Sequence, residues 1–146
     1  MQVDFYHLTA MPLERALPQI AEKVLATGAR LLIVAADGGL RANLDRLLWT
    51  YSAESFLPHA QIGAGDDEAQ PILLAADVNA ANRARTIALA DGEWRDAALD
   101  FDRAFFFFDE AGLKPARAAW SALKTRENVE RRYWRQNEQG RWENAA

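Results

Sequence analysis

The side chains able to do chemistry are few. His7 and His59 are the only histidines, and cysteine is absent. That excludes thiolate chemistry, disulfides and cysteine-ligated metal sites. Neither histidine has paired carboxylates at ligand spacing. Each reads as a hydrogen-bonding structural residue, His7 within a strand and His59 behind Pro58 at the end of a turn. Ser55 lies near His59, but no G-x-S-x-G surrounds it, so a catalytic triad is not expected. Asp66-Asp67-Glu68 reads as a solvated loop. No G-x-x-x-x-G-K-[ST] occurs, and Asp37-Gly38-Gly39 does not make G-x-G-x-x-G. An acid at that turn would also repel phosphate. No catalytic residue, metal or cofactor is therefore expected.

Two stretches keep a possible function of another kind. In the first, Leu47 to His59, Trp49 and Phe56 crowd a turn with Leu48, Leu57 and Pro58. Large apolar side chains contribute about 1.5–3 kcal/mol each only when buried, so they either plug the core or form a docking surface. In the second, Arg117, Trp120 and Lys124 fall at i, i+3 and i+7 on one helix face. A positive face with an aromatic shelf could hold a peptide carboxylate beside an apolar side chain. It could equally stack single-stranded nucleic acid. The plain alternative is a core-facing Trp120 with arginines extended beside it.

The elements that must position these residues read as follows. Val3 to Leu8 alternates as a first strand. A helix follows with Pro12 in its first turn, Thr9 as a cap and Leu13, Leu17, Ile20 and Val24 on one stripe; Pro18 interrupts it and Gly28 stops it. Arg30 to Ala36 is a continuous apolar run, as in a strand buried on both faces of a parallel sheet. Asp37-Gly38-Gly39 makes a turn into a helix striped by Leu40, Leu44, Leu47 and Leu48. Leu44, Leu47 and Leu48 should face inward, with Trp49 and Phe56 outward. Ile72–Ala75, Thr86–Leu89 and Ala104–Asp109 supply three more strands, the last the most apolar and central. A helix is expected from Lys114 to about Glu130, followed by two aromatic arms around Asn137-Glu138-Gln139-Gly140. This order predicts a three-layer α/β fold with a mostly parallel, five-stranded sheet.

The 146 residues are half apolar and 26% charged, as in one soluble domain spanning 1–146 with a real core. No run approaches the roughly 20 apolar residues that span a bilayer, and the N-terminus lacks the basic region of a signal peptide. No membrane association and a cytoplasmic location are expected. The net charge of −4 is uneven: residues 1–113 hold 9 Lys/Arg against 17 Asp/Glu, and residues 114–146 hold 8 against 4. A basic tail on an acidic body suggests an acidic partner for the tail. The acidic body argues against a broad phosphate footprint, leaving direct nucleic-acid binding as the alternative.

Leu48-Trp49 followed by Ser55-Phe56-Leu57-Pro58-His59 resembles the signature of the chi subunit of bacterial DNA polymerase III, a clamp-loader accessory protein. The Phe5-Tyr6-His7-Leu8 start, the length and the ending Tyr133-Trp134-Arg135-Gln136 with Gly140 and Trp142 agree with it. The resemblance implies a nucleotide-binding-like fold without a phosphate loop and a non-catalytic bridging role in the replisome. Its partners would be the psi subunit, or another clamp-loader component, and the acidic C-terminal tail of single-stranded-DNA-binding protein; DNA would be contacted only indirectly. Carried over, Trp49 and Phe56, with Leu48, Leu57 and Pro58, would meet psi. The tail pocket would take Arg117 and Trp120, with Ser121, Lys124 and Arg135 beside them. The family pattern has a tyrosine at Trp120, which keeps a shelf, and a lysine at Ser121, which this chain lacks. Lys124, Arg131 and Arg135 are the candidates to replace that donor.

Overall fold

A computed structural model describes residues 1–51 and 57–145. Its elements are β1 (Gln2–His7), α1 (Leu13–Ala26), β2 (Leu31–Val34), α2 (Gly38–Thr50), β3 (His59–Gln61), β4 (Ile72–Ala75), β5 (Thr86–Leu89), β6 (Arg103–Phe108), α3 (Leu113–Leu123), β7 (Glu130–Gln136) and β8 (Trp142–Asn144). Short 3-10 turns lie at Asp67–Ala69, Asp96–Asp100 and Glu110–Gly112. The strands form a sheet in the order β3-β4-β2-β5-β6-β1-β7-β8. All its pairings are parallel except that of β7 with β8.

The α/β class, the three layers and the mostly parallel sheet agree with the sequence, but the strand count does not. Among the described residues the sheet has eight strands, not five. The central strands β2, β4 and β5 are buried along their length, which is why they read as apolar runs. The three unforeseen strands, β3, β7 and β8, lie toward the two edges. They are short, or carry arginines, and bury little.

Helices α1 and α2 cover one face through Leu17, Ile20, Leu44 and Leu48, packed on Tyr6, Ile33 and Phe107. Helix α3 covers the other, where Ala116, Ala119 and Leu123 meet Phe5, Leu32 and Phe106. Its alanines allow the helix to lie close to the large rings beneath. A buried carboxylate ties the C-terminal strands to this frame. Asp4 is fully buried and accepts from Arg103 Nε, Trp134 Nε1 and Gln2 Nε2, each at 3.0 Å. Burial of a charge at this depth requires such partners, and here they link β1, β6 and β7.

Three local expectations change. Pro12 occupies the N-cap of α1, with no side chain capping it, so Thr9 is not the cap. Asp37 caps α2, its carboxylate accepting from the Leu40 amide at 2.8 Å, so Gly38 and Gly39 open the helix rather than form a separate turn. Helix α3 stops at Leu123, well before Glu130. Tight turns follow it, with Lys124 N donating to Ser121 O and Arg126 N to Leu123 O. The chain then pairs with the open edge of β1 from Gln2↔Glu130 onward. Ladder bonds and ring packing along seven residues outweigh the few further turns a longer helix would gain.

Candidate interaction surfaces

In doubly wound sheets, ligands bind in the crevice beyond the carboxyl ends of the strands. Here that crevice is a cleft of about 380 Å³ lined by Leu8, Met11, Leu40, Phe107 and the carboxylates of Asp91 and Asp109, among others. Several polar groups in and beside it are already engaged. Asp37 sits on the α2 amides where an anion would bind. Arg41 folds back onto the carbonyls of Ala35 and Ala36 at 2.7 and 2.9 Å. Asp91 accepts both terminal nitrogens of Arg95 at 2.8 Å and the Ala36 amide at 2.9 Å. Burial raises the Asp91 pKa, but the Arg95 and backbone hydrogen bonds outweigh it and hold the carboxyl below its ordinary value. A rim carrying the carboxylates of Glu14, Asp91 and Asp109 repels a phosphate. Among the described residues no group of three or more metal-ligating side chains comes together, and no helix is long and apolar enough to cross a membrane.

The first surface forms at the end of α2. Leu44 and Leu48 follow the inward stripe and are buried, with Leu47 half-buried beside them. Trp49, one residue on and about 100° around the helix, is 56% exposed, the one large apolar side chain so exposed among the described residues. Its ring lies 4.5 Å from that of His59, tilted by 50°. His59 is nearly buried; Nδ1 lies 2.6 Å from Leu57 O, and Nε2 lies 2.9 Å from Asp45 O and 3.1 Å from Asp45 Oδ1. His59 opens β3 rather than ending a turn. Pro58 is half-buried at the margin. Leu48 and Leu57 are each only 2% exposed. That corrects their assignment as contact residues: they support the surface from within the core. Phe56 lies outside the described residues.

The second surface is built by α3, β1 and β7. Trp120 is half-buried, in T-shaped contact with Phe5 (5.2 Å, 86°) and Tyr133 (5.6 Å, 89°). Arg131 lies over the indole, its guanidinium carbon 4.1 Å from the ring centre, and donates to Trp120 O at 2.5 Å. Trp120 is therefore both a core-edge residue and a shelf, with one face already carrying a cation. Arg117, Ser121, Lys124 and Arg135 are exposed around it, Lys124 as the C-cap of α3.

Tyr133 was not anticipated as part of this surface. Burial raises its phenol above the ordinary value, Arg117 and Arg135 pull it down, and Glu110 pushes it up. The phenol thus sits in the field of the two arginines that the family resemblance implies for a pocket. Its hydroxyl lies 3.3 Å from His7 Nδ1, and His7 Nε2 lies 2.8 Å from Glu110 Oε1. The strand register brings them together: Phe5 and His7 on β1 and Tyr133 and Arg135 on β7 share the α3 face.

A family model described as DNA polymerase III chi subunit, HolC, matches residues 1–129. The DNA polymerase III subunit chi of Escherichia coli K12 is 32% identical over 92 residues, covering 63% of this chain and 60% of its own. That of Pseudomonas aeruginosa PAO1 is 32% identical over 76 residues, covering 50% and 52%. The chain thus spans between half and two thirds of the length of these relatives. The family match includes Trp49, Arg117 and Trp120 and ends before β7, so Tyr133 and Arg135 lie beyond it.

Proposed function

The chain belongs to the DNA polymerase III chi subunit family, and from that premise we propose that it is a non-catalytic replisome adaptor with two separate docking surfaces. Trp49, with Phe56 and Pro58, takes the psi subunit or another clamp-loader component. Arg117, Trp120 and Arg135, joined by Ser121, Lys124 and Tyr133, take the acidic C-terminal tail of single-stranded-DNA-binding protein. The tail's terminal carboxylate pairs with arginine, and its last apolar side chain lies against the Trp120 edge.

The observation that carries this reading is the placement of the two surfaces. Trp49 stands on α2, beside edge strand β3 and on one face of the sheet; Trp120 stands on α3, over β1 and β7 and on the other. Six strand steps at about 4.8 Å separate β3 from β7, about 30 Å in all. Two partners can therefore be held at once without touching.

The test is a titration with a synthetic acidic peptide ending in a free carboxylate, at low salt. Saturable binding is expected. Arg117→Ala should weaken it about tenfold, the loss of one charge-assisted hydrogen bond, and added salt should weaken it further. Absence of a saturable signal overturns the tail-binding half. A mobility shift with a labelled single-stranded oligonucleotide, absent with the peptide, would favour direct nucleic-acid binding instead.

A further inference from the structure

We propose that a second cavity, at the end of the sheet opposite the crevice, is a binding site for a small organic acid: one carboxylate on a short apolar body. It lies under the last turns of α1, at the amino ends of β5 and β6, and has a volume of about 380 Å³, within the range of small-molecule sites. Ile20, Val24 and Phe105 give it apolar walls. Two hydroxyls meet there. Tyr6 is only 7% exposed and Thr86 9%, yet neither hydroxyl has a hydrogen-bond partner among the described residues. A polar group taken this far from water needs a partner. Among the described residues no side-chain oxygen is both fully buried and unpartnered, so each hydroxyl is reached through an opening, and both residues line this one. The Tyr6 phenol feels the charges of Asp4 and Arg103, which sets its oxygen at the Arg103 end of the strands. Burial holds it at about 12, so it remains an O–H donor at neutral pH.

The charge at the cavity selects the ligand. Arg103 opens β6 beside Thr86 in the strand register. Its Nε donates to the buried Asp4 at 3.0 Å, and its guanidinium carbon lies 4.6 Å from the centre of the Phe105 ring. Its two terminal nitrogens make no hydrogen bond with the described residues, so a guanidinium fixed from behind presents an open fork. Such a fork matches a carboxylate in two parallel N–H···O bonds. Lys23 on α1 brings a second cation and forms no ion pair with the described residues. No carboxylate is among the described lining residues. Asp4 offsets Arg103, which leaves one cation in excess and favours a monoanion over a phosphate dianion. The carbonyls that end α1 would oppose an anion, but they are partly covered. Val24 O accepts from Thr27 N at 3.1 Å and Thr27 Oγ1 at 2.6 Å, and Leu25 O accepts from Gly28 N at 2.9 Å. The cavity faces α1, whereas the Trp120 surface lies across the sheet. The site is therefore additional to both docking surfaces and does not rest on the adaptor reading.

The experiment is an NMR titration of the full chain with hexanoate, compared with hexanamide, inorganic phosphate and the acidic peptide of the preceding test. Hexanoate should shift the Thr86 and Arg103 resonances saturably, with a Kd on the order of 1 mM. Hexanamide keeps the apolar body without the charge, and phosphate the charge without the body; each should bind at least about tenfold more weakly. Tyr6→Phe and Thr86→Val remove one hydroxyl each and nearly keep the shape, so each should weaken hexanoate about fivefold, and Lys23→Gln about tenfold. Arg103 stays in place, because Asp4 depends on it. Hexanamide binding as tightly as hexanoate overturns the proposal, as do variants with native spectra that bind hexanoate like wild type. The peptide should leave these resonances unmoved; a peptide that shifts them in place of Trp120 makes the cavity the tail site and overturns the free acid as its ligand. No response to hexanoate, with the peptide still bound at Trp120, sinks this proposal and leaves the adaptor reading standing.

Discussion

Both candidate surfaces combine a tryptophan with a buried histidine, in ring contact at Trp49 and joined only through Tyr133 at Trp120, and they are built in opposite ways. The Trp49 surface is local: Asp45, Trp49, Leu57 and His59 lie within fifteen positions of one another, and the indole stands out from its helix. The Trp120 surface joins distant parts of the chain, with Phe5, Trp120, Arg131 and Tyr133 meeting across three elements. Their histidines differ too. His59 meets only acceptors, whereas His7 lies between the Glu110 carboxylate and the Tyr133 hydroxyl, which can also donate. The first surface can thus lose its tryptophan without loss of fold, while the second is part of the core it stands on.

Denaturation offers the largest test of that contrast. Trp120→Ala should cost about 3 kcal/mol in urea unfolding, because it opens a hole beside Phe5 and Tyr133. Trp49→Ala should change stability by no more than about 0.5 kcal/mol. Equal costs would break the comparison.

Alkaline titration comes next. Burial and the Asp4 charge raise the Tyr6 phenol to about 12, above an unfolded value near 10. Its contribution is fully present below pH ~10 and is lost as pH rises toward ~12, up to about 3 kcal/mol. Tyr6→Phe should flatten that part of the stability profile, and an unchanged slope would count against the assignment. Removing the hydrogen-bond partner of the Tyr133 hydroxyl with His7→Phe should cost about 1 kcal/mol and leave the Trp49 environment untouched, seen as an unaltered Trp49 indole N–H. The smallest effect is on Tyr133 itself. Arg117→Ala removes a cation that pulls its phenol down, so the phenol should titrate higher in an NMR pH series; no movement would separate Arg117 from the pocket.

The same local-versus-distant difference explains what the sequence made legible. Strands buried on both faces, such as Leu31–Val34 and Ile72–Ala75, are plain because burial demands continuous apolar residues. Strand β7 is not, since Arg131, Arg132 and Arg135 reflect its half-exposed faces rather than its pairing with β1. Trp49 could be read as outward because Leu44 and Leu48 set the inward stripe only one turn away. Leu57 could not be read as buried, because its place in the core depends on β3. Arg117 and Trp120 follow from helical spacing, but Tyr133 and His7 require the β1–β7 register, which no local pattern records.

The adaptor account stands or falls on simultaneous occupancy. Binding of purified psi should be measured in the absence and presence of saturating acidic peptide. The account predicts the same affinity in both and a ternary complex that elutes as one species; displacement of either ligand by the other would contradict it.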